Sequence, residues 1–278
     1  MSNATQTLTR RTGSFGRRRP AIALSRRWLG AGTVVVIFLL WELAAVTGIL
    51  PAASIPRASE VIAAFGALLV SAGFWLALWD TLSMALLGLV LIVLIASPIA
   101  LVIGLTRWWE ESTWFVLEFL KPIPPVALIP LGLLLWGPSP GMKLFLIVFG
   151  AIWPLLTQLV YGLREVNGVA RDMAKSYRLG PWLTTTRLVF PSVLPFATTG
   201  LRISAAIAVV IAVVTEMIGG AAGLGQNIVV AQSANALAEM YALIIATGLL
   251  GLGINLMFRL GEKPLLFWHP SIREEGKL

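Results

Sequence analysis

Charge is scarce in this sequence. Only 12% of the 278 residues are Asp, Glu, Lys or Arg, about half the share of a soluble domain. A soluble globule of this length needs far more charge to cover its surface. Soluble enzyme, secreted module and disordered chain are therefore excluded. Cysteine is absent, which removes disulfide frameworks, thiol nucleophiles and thiolate metal sites. There is one histidine, His269, so a His-rich metal site or a Ser-His-Asp triad is not expected. The pattern G-x-x-x-x-G-K-[ST] occurs nowhere, not even in the Gly-rich segment 219–225, so no Walker loop is available to hold ATP. What fills the chain instead is apolar: 58% hydrophobic residues and a mean hydropathy of +0.87. This composition describes an all-α integral membrane protein.

Gaps between charges locate the spans. Leu29 to Leu50 is broken only by Glu42 and reaches about 33 Å as a helix, enough to cross a bilayer. Uncharged runs follow between Asp80 and Arg107, Lys121 and Lys143, and Lys143 and Arg164. A fifth apolar segment runs from Pro195 to Ile218 and a sixth from Met240 to Phe258. The sequence thus predicts six transmembrane helices within one domain, 29–268. The flanks are a basic, disordered tail over 1–28 and a short tail over 269–278. The third span holds Pro122, Pro124, Pro125 and Pro130, so its first half is expected to be bent or irregular, which lipid tolerates only inside a bundle. The first apolar run is too long for a signal-peptide core, and it reads as an uncleaved helix.

An even number of spans places both termini on one side. Arg10, Arg11, Arg17, Arg18, Arg19, Arg26 and Arg27, with Arg107, the five cations from Arg164 to Arg187 and four after position 258, put 17 of the 21 Lys and Arg there. The positive-inside rule makes that side cytoplasmic. The net charge of +8 therefore reports topology, with anionic lipid a secondary contact for the tail and no nucleic-acid partner expected. On the outer side, Ser59 to Val70 predicts a short interfacial helix, capped by Ser59. The loop 219–238 is also expected outside.

The cytoplasmic stretch 164–194 is the most informative. Val166, Val169, Ala170, Met173, Ala174 and Tyr177 are spaced as one face of a helix, with Arg171, Asp172, Lys175 and Arg178 opposite. Gly180-Pro181 ends it, and a second short helix with Trp182, Leu183 and Leu188 is expected before Pro191. Such a pair has to bury its apolar face on something, and a cytosolic partner is the natural candidate.

Single residues stand out in the spans. Glu216 is the one acid deep in the fifth span, so it faces either the bundle interior or a water-filled path, or it reaches outer water at the membrane edge. Glu118 and Lys121 are spaced to pair on one helix face. Gly200, Ser204, Ala208 and Ala212 recur every four residues, a stripe that lets a helix pack closely, at a subunit interface or inside one subunit.

The loop resembles the EAA loop of permease subunits of bacterial ABC importers. Asp172-Met173-Ala174, the position 178, and Leu188-Val189-Phe190-Pro191 keep its spacing, although Asp stands for the usual Glu, Met for Ala and Arg178 for Gly. Trp41-Glu42, the run from Pro122 to Leu131, Trp136-Gly137, Gly200-Leu-Arg202, Glu216-Met217-Ile218-Gly219 and Gly223-Leu-Gly225 are similar to the branch importing nitrate, taurine and aliphatic sulfonates. The resemblance implies a type I (MetI-like) transmembrane domain in a bacterial inner membrane, with both termini cytoplasmic. It implies a transport subunit rather than an enzyme, working with a second copy of itself, two ABC ATPase subunits and an extracytoplasmic solute-binding protein. ATP and Mg would be bound by the ATPase, leaving this chain without a cofactor or metal. It implies that Val169, Ala170, Asp172, Met173, Ala174, Tyr177, Arg178, Leu179, Gly180 and Pro191 form the coupling loop. Glu216, Met217, Pro124 and Pro125 would belong to the translocation path or its gate. The cargo implied is a small anion, with a pyrimidine or other organic solute as the alternative within the family. An ion-gradient transporter is the alternative outside it, and would call for inverted repeats and midplane acids.

The topology can be checked directly. Reporter fusions after Pro140 and after Ala234 are expected outside, and fusions after Gly180 and at the C-terminus inside. One reversal among the four breaks the arrangement.

Overall fold

The computed structural model describes residues 26–267, and every regular element among them is helical. In order these are α1 (Arg26–Val46), α2 (Ala58–Leu69), α3 (Ala72–Leu105), α4 (Arg107–Leu120), a 3-10 turn (Pro125–Leu128), α5 (Ile129–Trp136), α6 (Pro140–Arg164) and α7 (Gly168–Ser176). Then come α8 (Pro181–Thr184), a π-helical turn (Thr185–Val189), α9 (Phe190–Gly219), α10 (Leu224–Ser233) and α11 (Leu237–Leu265). The basic tail before Arg26 and the segment 268–278, with His269, lie outside the described residues.

Four helices are long and apolar enough to cross a membrane: Ala72–Gly104, Pro140–Arg164, Pro181–Gly219 and Leu237–Glu262. Glu111–Leu120 and Pro125–Trp136 are long and apolar enough only together, and the pair is bent by 81°, as in a broken span or a re-entrant loop. The expected count of six is not confirmed. Of α1, the stretch Gly32–Val46 is an apolar helix of the shorter class among the described residues. The bend falls where prolines were expected to break the helix, because Pro122, Pro124 and Pro125 offer no N–H to continue the ladder.

The core is made by α3, α6 and α9. Within lipid no hydrophobic force draws apolar helices together, so close packing and polar contacts must hold them. Small residues make this possible. A Cβ on Gly200 of α9 would stand 3.0 Å from the Leu155 Cα of α6. Ser204, Ala208 and Ala212 are fully buried on the same side. The stripe is therefore spent within one subunit rather than at a subunit interface. The Ser204 hydroxyl also accepts a hydrogen bond from the Leu155 N–H at 3.2 Å, next to Pro154 within α6. Outward, Val34, Leu40, Leu76, Leu94, Leu134 and Leu252 are exposed, as a lipid-facing surface requires.

Two local expectations are corrected. Ser59 does not cap α2: the helix begins at Ala58 behind Arg57, and the Ser59 N–H and hydroxyl both donate to Glu42, at 3.0 and 2.9 Å. This supplies the partner of Glu42, which local sequence could not name. The second short helix of the stretch 164–194 forms as α8 but does not end before Pro191. Pro181–Gly219 is one rod of 39 residues, about 58 Å long against a hydrocarbon core of about 30 Å. Pro191 and Pro195 do not break it. The π turn just before Pro191 relieves the clash between a proline ring and the carbonyl one turn back.

Gly150 marks a tight crossing. A Cβ there would overlap Pro125 of the 3-10 turn and Ile211 of α9. Gly150→Ala is expected to destabilise the protein by about 1–3 kcal/mol through overpacking. The measurement is thermal unfolding in detergent, and an unchanged midpoint refutes the close packing.

Candidate functional site

A buried ion pair sits at the end of the bundle opposite α7. Lys143, in the first turn of α6, is 2% exposed, and Glu216, in the last turn of α9, is 0% exposed. Lys143 Nζ stands 2.6 Å from Glu216 Oε1 and donates to the carbonyls of Ala222 at 2.8 Å and Asp80 at 3.4 Å. Glu216 Oε2 accepts from the Thr81 hydroxyl and the Gly225 N–H, both at 2.9 Å. Thr81 Oγ1 in turn accepts the Leu224 N–H at 2.9 Å. Taking two charges out of water is costly, and the cost is recovered only when the remaining donors and acceptors are satisfied as well. Lys143 and Oε2 of Glu216 meet that condition here.

The pair explains the glycines around it. α10 starts behind Gly223, which has no side chain to cap the helix. Thr81 and Glu216 cap it from other helices, and the carboxylate lies where a helix N-terminus favours negative charge. Gly223 has φ +148°, open to glycine and strained for other residues. A Cβ at Gly223 would overlap the Glu216 carboxylate, and one at Gly225 would overlap the Val213 carbonyl. The motif Gly223-Leu-Gly225 is thus a backbone drawn tight around Glu216.

Glu216 has no access to outer water, which removes the membrane-edge reading of this residue. Met217 beside it is 38% exposed. Pro124 is exposed and Pro125 half-buried against Gly150, so the two prolines do not join Glu216 in one cluster. Glu118 and Lys121 pair as expected, 2.7 Å apart. Sequence reasoning missed Lys143 and Thr81. The available signal was a lone lysine with uncharged runs on both sides.

At the other end, α7 is capped by Asn167, whose Oδ1 accepts from the N–H groups of Val169 and Ala170 at 2.9 and 3.3 Å. Arg171 Nη2 donates to the Leu163 carbonyl at 2.8 Å, which ties α7 to the end of α6. The helix closes as a Schellman turn, with Leu179 N–H bonded to the Ala174 carbonyl and Arg178 N–H to that of Lys175, both at 2.9 Å. Arg178 occupies the left-handed position at φ 52°. The sequence therefore places an arginine where geometry favours glycine, at a cost of about 1–2 kcal/mol.

Val169, Met173 and Tyr177 are 70%, 53% and 75% exposed. Leu179, Trp182 and Leu183 extend the surface, and Gly180 is exposed within it. Asp172 pairs with Lys175, at 3.2 Å and exposed to solvent. Ala174 departs from expectation: it is buried within the chain, so it cannot lie in a partner's groove. Ala170 and Pro191 are half-buried. Among the described residues no three His, Asp or Glu side chains come together as a metal site would need.

Residues 88–262 match the family described as binding-protein-dependent transport system inner membrane component, and the chain belongs to that family. It is 28% identical to a protein of Escherichia coli (strain K12) named as an aliphatic sulfonates transport permease, across 85% of this chain and 90% of that one. A nitrate import permease of Synechocystis sp. is 24% identical across 65% of this chain and 66% of its own length. The taurine transport system permease of Escherichia coli (strain K12) is 24% identical across 88% and 91%. The protein is a multi-pass permease subunit of the plasma membrane.

The ion pair leads to a stability prediction. Glu216→Gln leaves the Lys143 charge buried without its counter-ion and is expected to cost about 3–5 kcal/mol. Glu216→Leu with Lys143→Met removes both charges and is expected to recover most of that loss. Thermal unfolding in detergent measures both, and a double variant as unstable as Glu216→Gln contradicts the account.

Proposed function

We propose that this chain forms the membrane path of an ATP-driven importer of small anions. The domain spans 29–268, works as a homodimer with two ATPase subunits, and receives its cargo from an extracytoplasmic solute-binding protein. The α7 end faces the cytoplasm, in accord with the positive-inside bias, and with α1 taken as the sixth crossing both termini lie on that side. ATP and Mg reside on the ATPase, and the hydrolysis belongs to that separate chain. The anionic cargo is supported by relatives named for aliphatic sulfonates, nitrate, bicarbonate and taurine.

One observation carries the coupling role. An amphipathic helix exposes Val169, Met173 and Tyr177 at the cytoplasmic end, with Leu179 and Trp182 beyond. Apolar side chains on a helix face are the recognition mode of a helix in a partner's groove. α7 leads directly into the rod that begins at Pro181 and ends beside Glu216. Movement of the ATPase would therefore be conveyed along one stiff element to the outer end. Met217 and the irregular backbone at Pro124 and Pro125 are our candidates for the path or its gate. Glu216 would act there by fixing the outer loop through Lys143, Thr81 and Gly225.

The test is Met173→Arg, a residue exposed outside the bilayer whose change leaves the fold of α7 intact. A charge buried unpaired at the contact costs several kcal/mol. Copurification with the ATPase, or solute-stimulated ATP hydrolysis in the reconstituted complex, is expected to fall about a hundredfold. Unchanged copurification and unchanged stimulation remove the coupling role from α7.

A further inference from the structure

Two lysine–glutamate pairs differ in what surrounds them. Lys143 and Glu216 are sealed in protein at the end opposite α7. Glu118 and Lys121 on α4 are 48% and 30% exposed. A cleft of about 200 Å³ lies beside them, between α4 and α6, with Thr157 and Tyr161 on its α6 wall and Arg164 at its mouth. Thr157 stands seven residues before the end of α6, about 10 Å along the helix. This part of the cleft therefore falls within a hydrocarbon core of about 30 Å. Charges at such depth face the bundle interior or water, because contact with lipid is costly. This chain does not cover the pair.

The backbone at the same place makes the same demand without reference to charge. α4 ends at Leu120, and the chain from Lys121 to Pro124 is irregular, with Pro122 and Pro124 exposed. Non-helical backbone at membrane depth is tolerated only where protein buries it or where it lines a water-filled cavity. The cleft reaches this break at Lys121, four residues before the Pro125 that packs at Gly150. An open ion pair and an open break thus adjoin along one wall.

We propose that the cleft between α4 and α6 is the inner half of the transport path, a water-filled vestibule leading from Arg164 to the break at Pro124 and Pro125. The inference rests on the importer reading above and adds to it which wall of the bundle is wet and which end is shut. The chain stands open toward the α7 end and closed at the Glu216 cluster, where neither side chain of the ion pair reaches solvent. Lys121 and Glu118 neutralise each other at 2.7 Å, so they wet the wall without retaining a charged solute. Shutting the vestibule requires α4 and α6 to approach. The end of α6 is tied to α7 through Arg171 and the Leu163 carbonyl, so a push on α7 reaches one of its two walls.

The chain has no cysteine, so a single introduced thiol reports water at its own position. The experiment uses the complete complex of this chain with its ATPase and binding protein in proteoliposomes. A charged, membrane-impermeant methanethiosulfonate is added on the ATPase side, and the mass of this chain reads the labelled fraction. Thr157→Cys is expected to label about tenfold faster than Phe115→Cys, an exposed position of α4 outside the cleft, because the reacting thiolate needs water. Tyr161→Cys, nearer the mouth, gives the same readout without touching the packing at Thr157. Trapping nucleotide on the ATPase with vanadate is expected to slow labelling at 157 about tenfold, as the population shifts to a state closed inside. Rates at 157 and 161 no faster than at 115 overturn the proposal, as does a rate at 157 indifferent to trapped nucleotide. Fast labelling in detergent but not in the bilayer also overturns it, and assigns the cleft to a lipid. A wild-type complex without solute-stimulated ATP hydrolysis refutes the importer reading itself, an outcome distinct from any labelling rate.

Discussion

The buried contact between Lys143 and Glu216 is the constraint on which one end of the molecule depends. Neither charge sits well on its own helix, since a lysine in the first turn of α6 and a glutamate in the last turn of α9 both oppose the helix dipole. Together they are stable because backbone from other segments completes their coordination. The carbonyls of Asp80 and Ala222 face the ammonium, and the Gly225 N–H and Thr81 hydroxyl face the carboxylate. Four segments are fixed by this cluster: α3, α6, α9 and the turn into α10. The glycines at 223 and 225 follow from it, because no Cβ fits between that turn and the glutamate.

From this anchor the rest of the architecture is a matter of close approach and stiffness. α6 and α9 pack through Gly150, Gly200, Ser204, Ala208 and Ala212, the arrangement available to helices that gain nothing by escaping water. α9 continues without interruption to Pro181, so the turn after α7 and the ion pair are two ends of one rod. The π turn before Pro191 lets that rod pass two prolines intact. Such a rod joins the two ends of the bundle as one stiff element.

Some of this was legible along the chain. Charge-free runs located most spans, proline spacing located the break between α4 and α5, and helical periodicity located α7. The pairing of Glu118 with Lys121 followed from their separation on one helix. Even the departure at Arg178 was visible, and the structure confirms that this residue takes the left-handed backbone a glycine would prefer. Other features were not legible. The helix running through Pro191 and Pro195 and the inward position of Ala174 depend on neighbours that local pattern does not reveal.

The sequence by itself determined the class of protein, the membrane as its solvent and the place of α7 along the chain. Each of these is fixed by composition or by periodicity along a single segment, and transfer of a segment into lipid depends on little else. The tertiary structure alone decided what each polar residue in the spans does. Lys143 meets Glu216 across 73 positions of chain, Glu42 meets Ser59, and Arg202 meets Glu262. The physical reason is that a charge in a low-dielectric interior is stable only with a partner close by, and the partner is brought there by packing between distant helices.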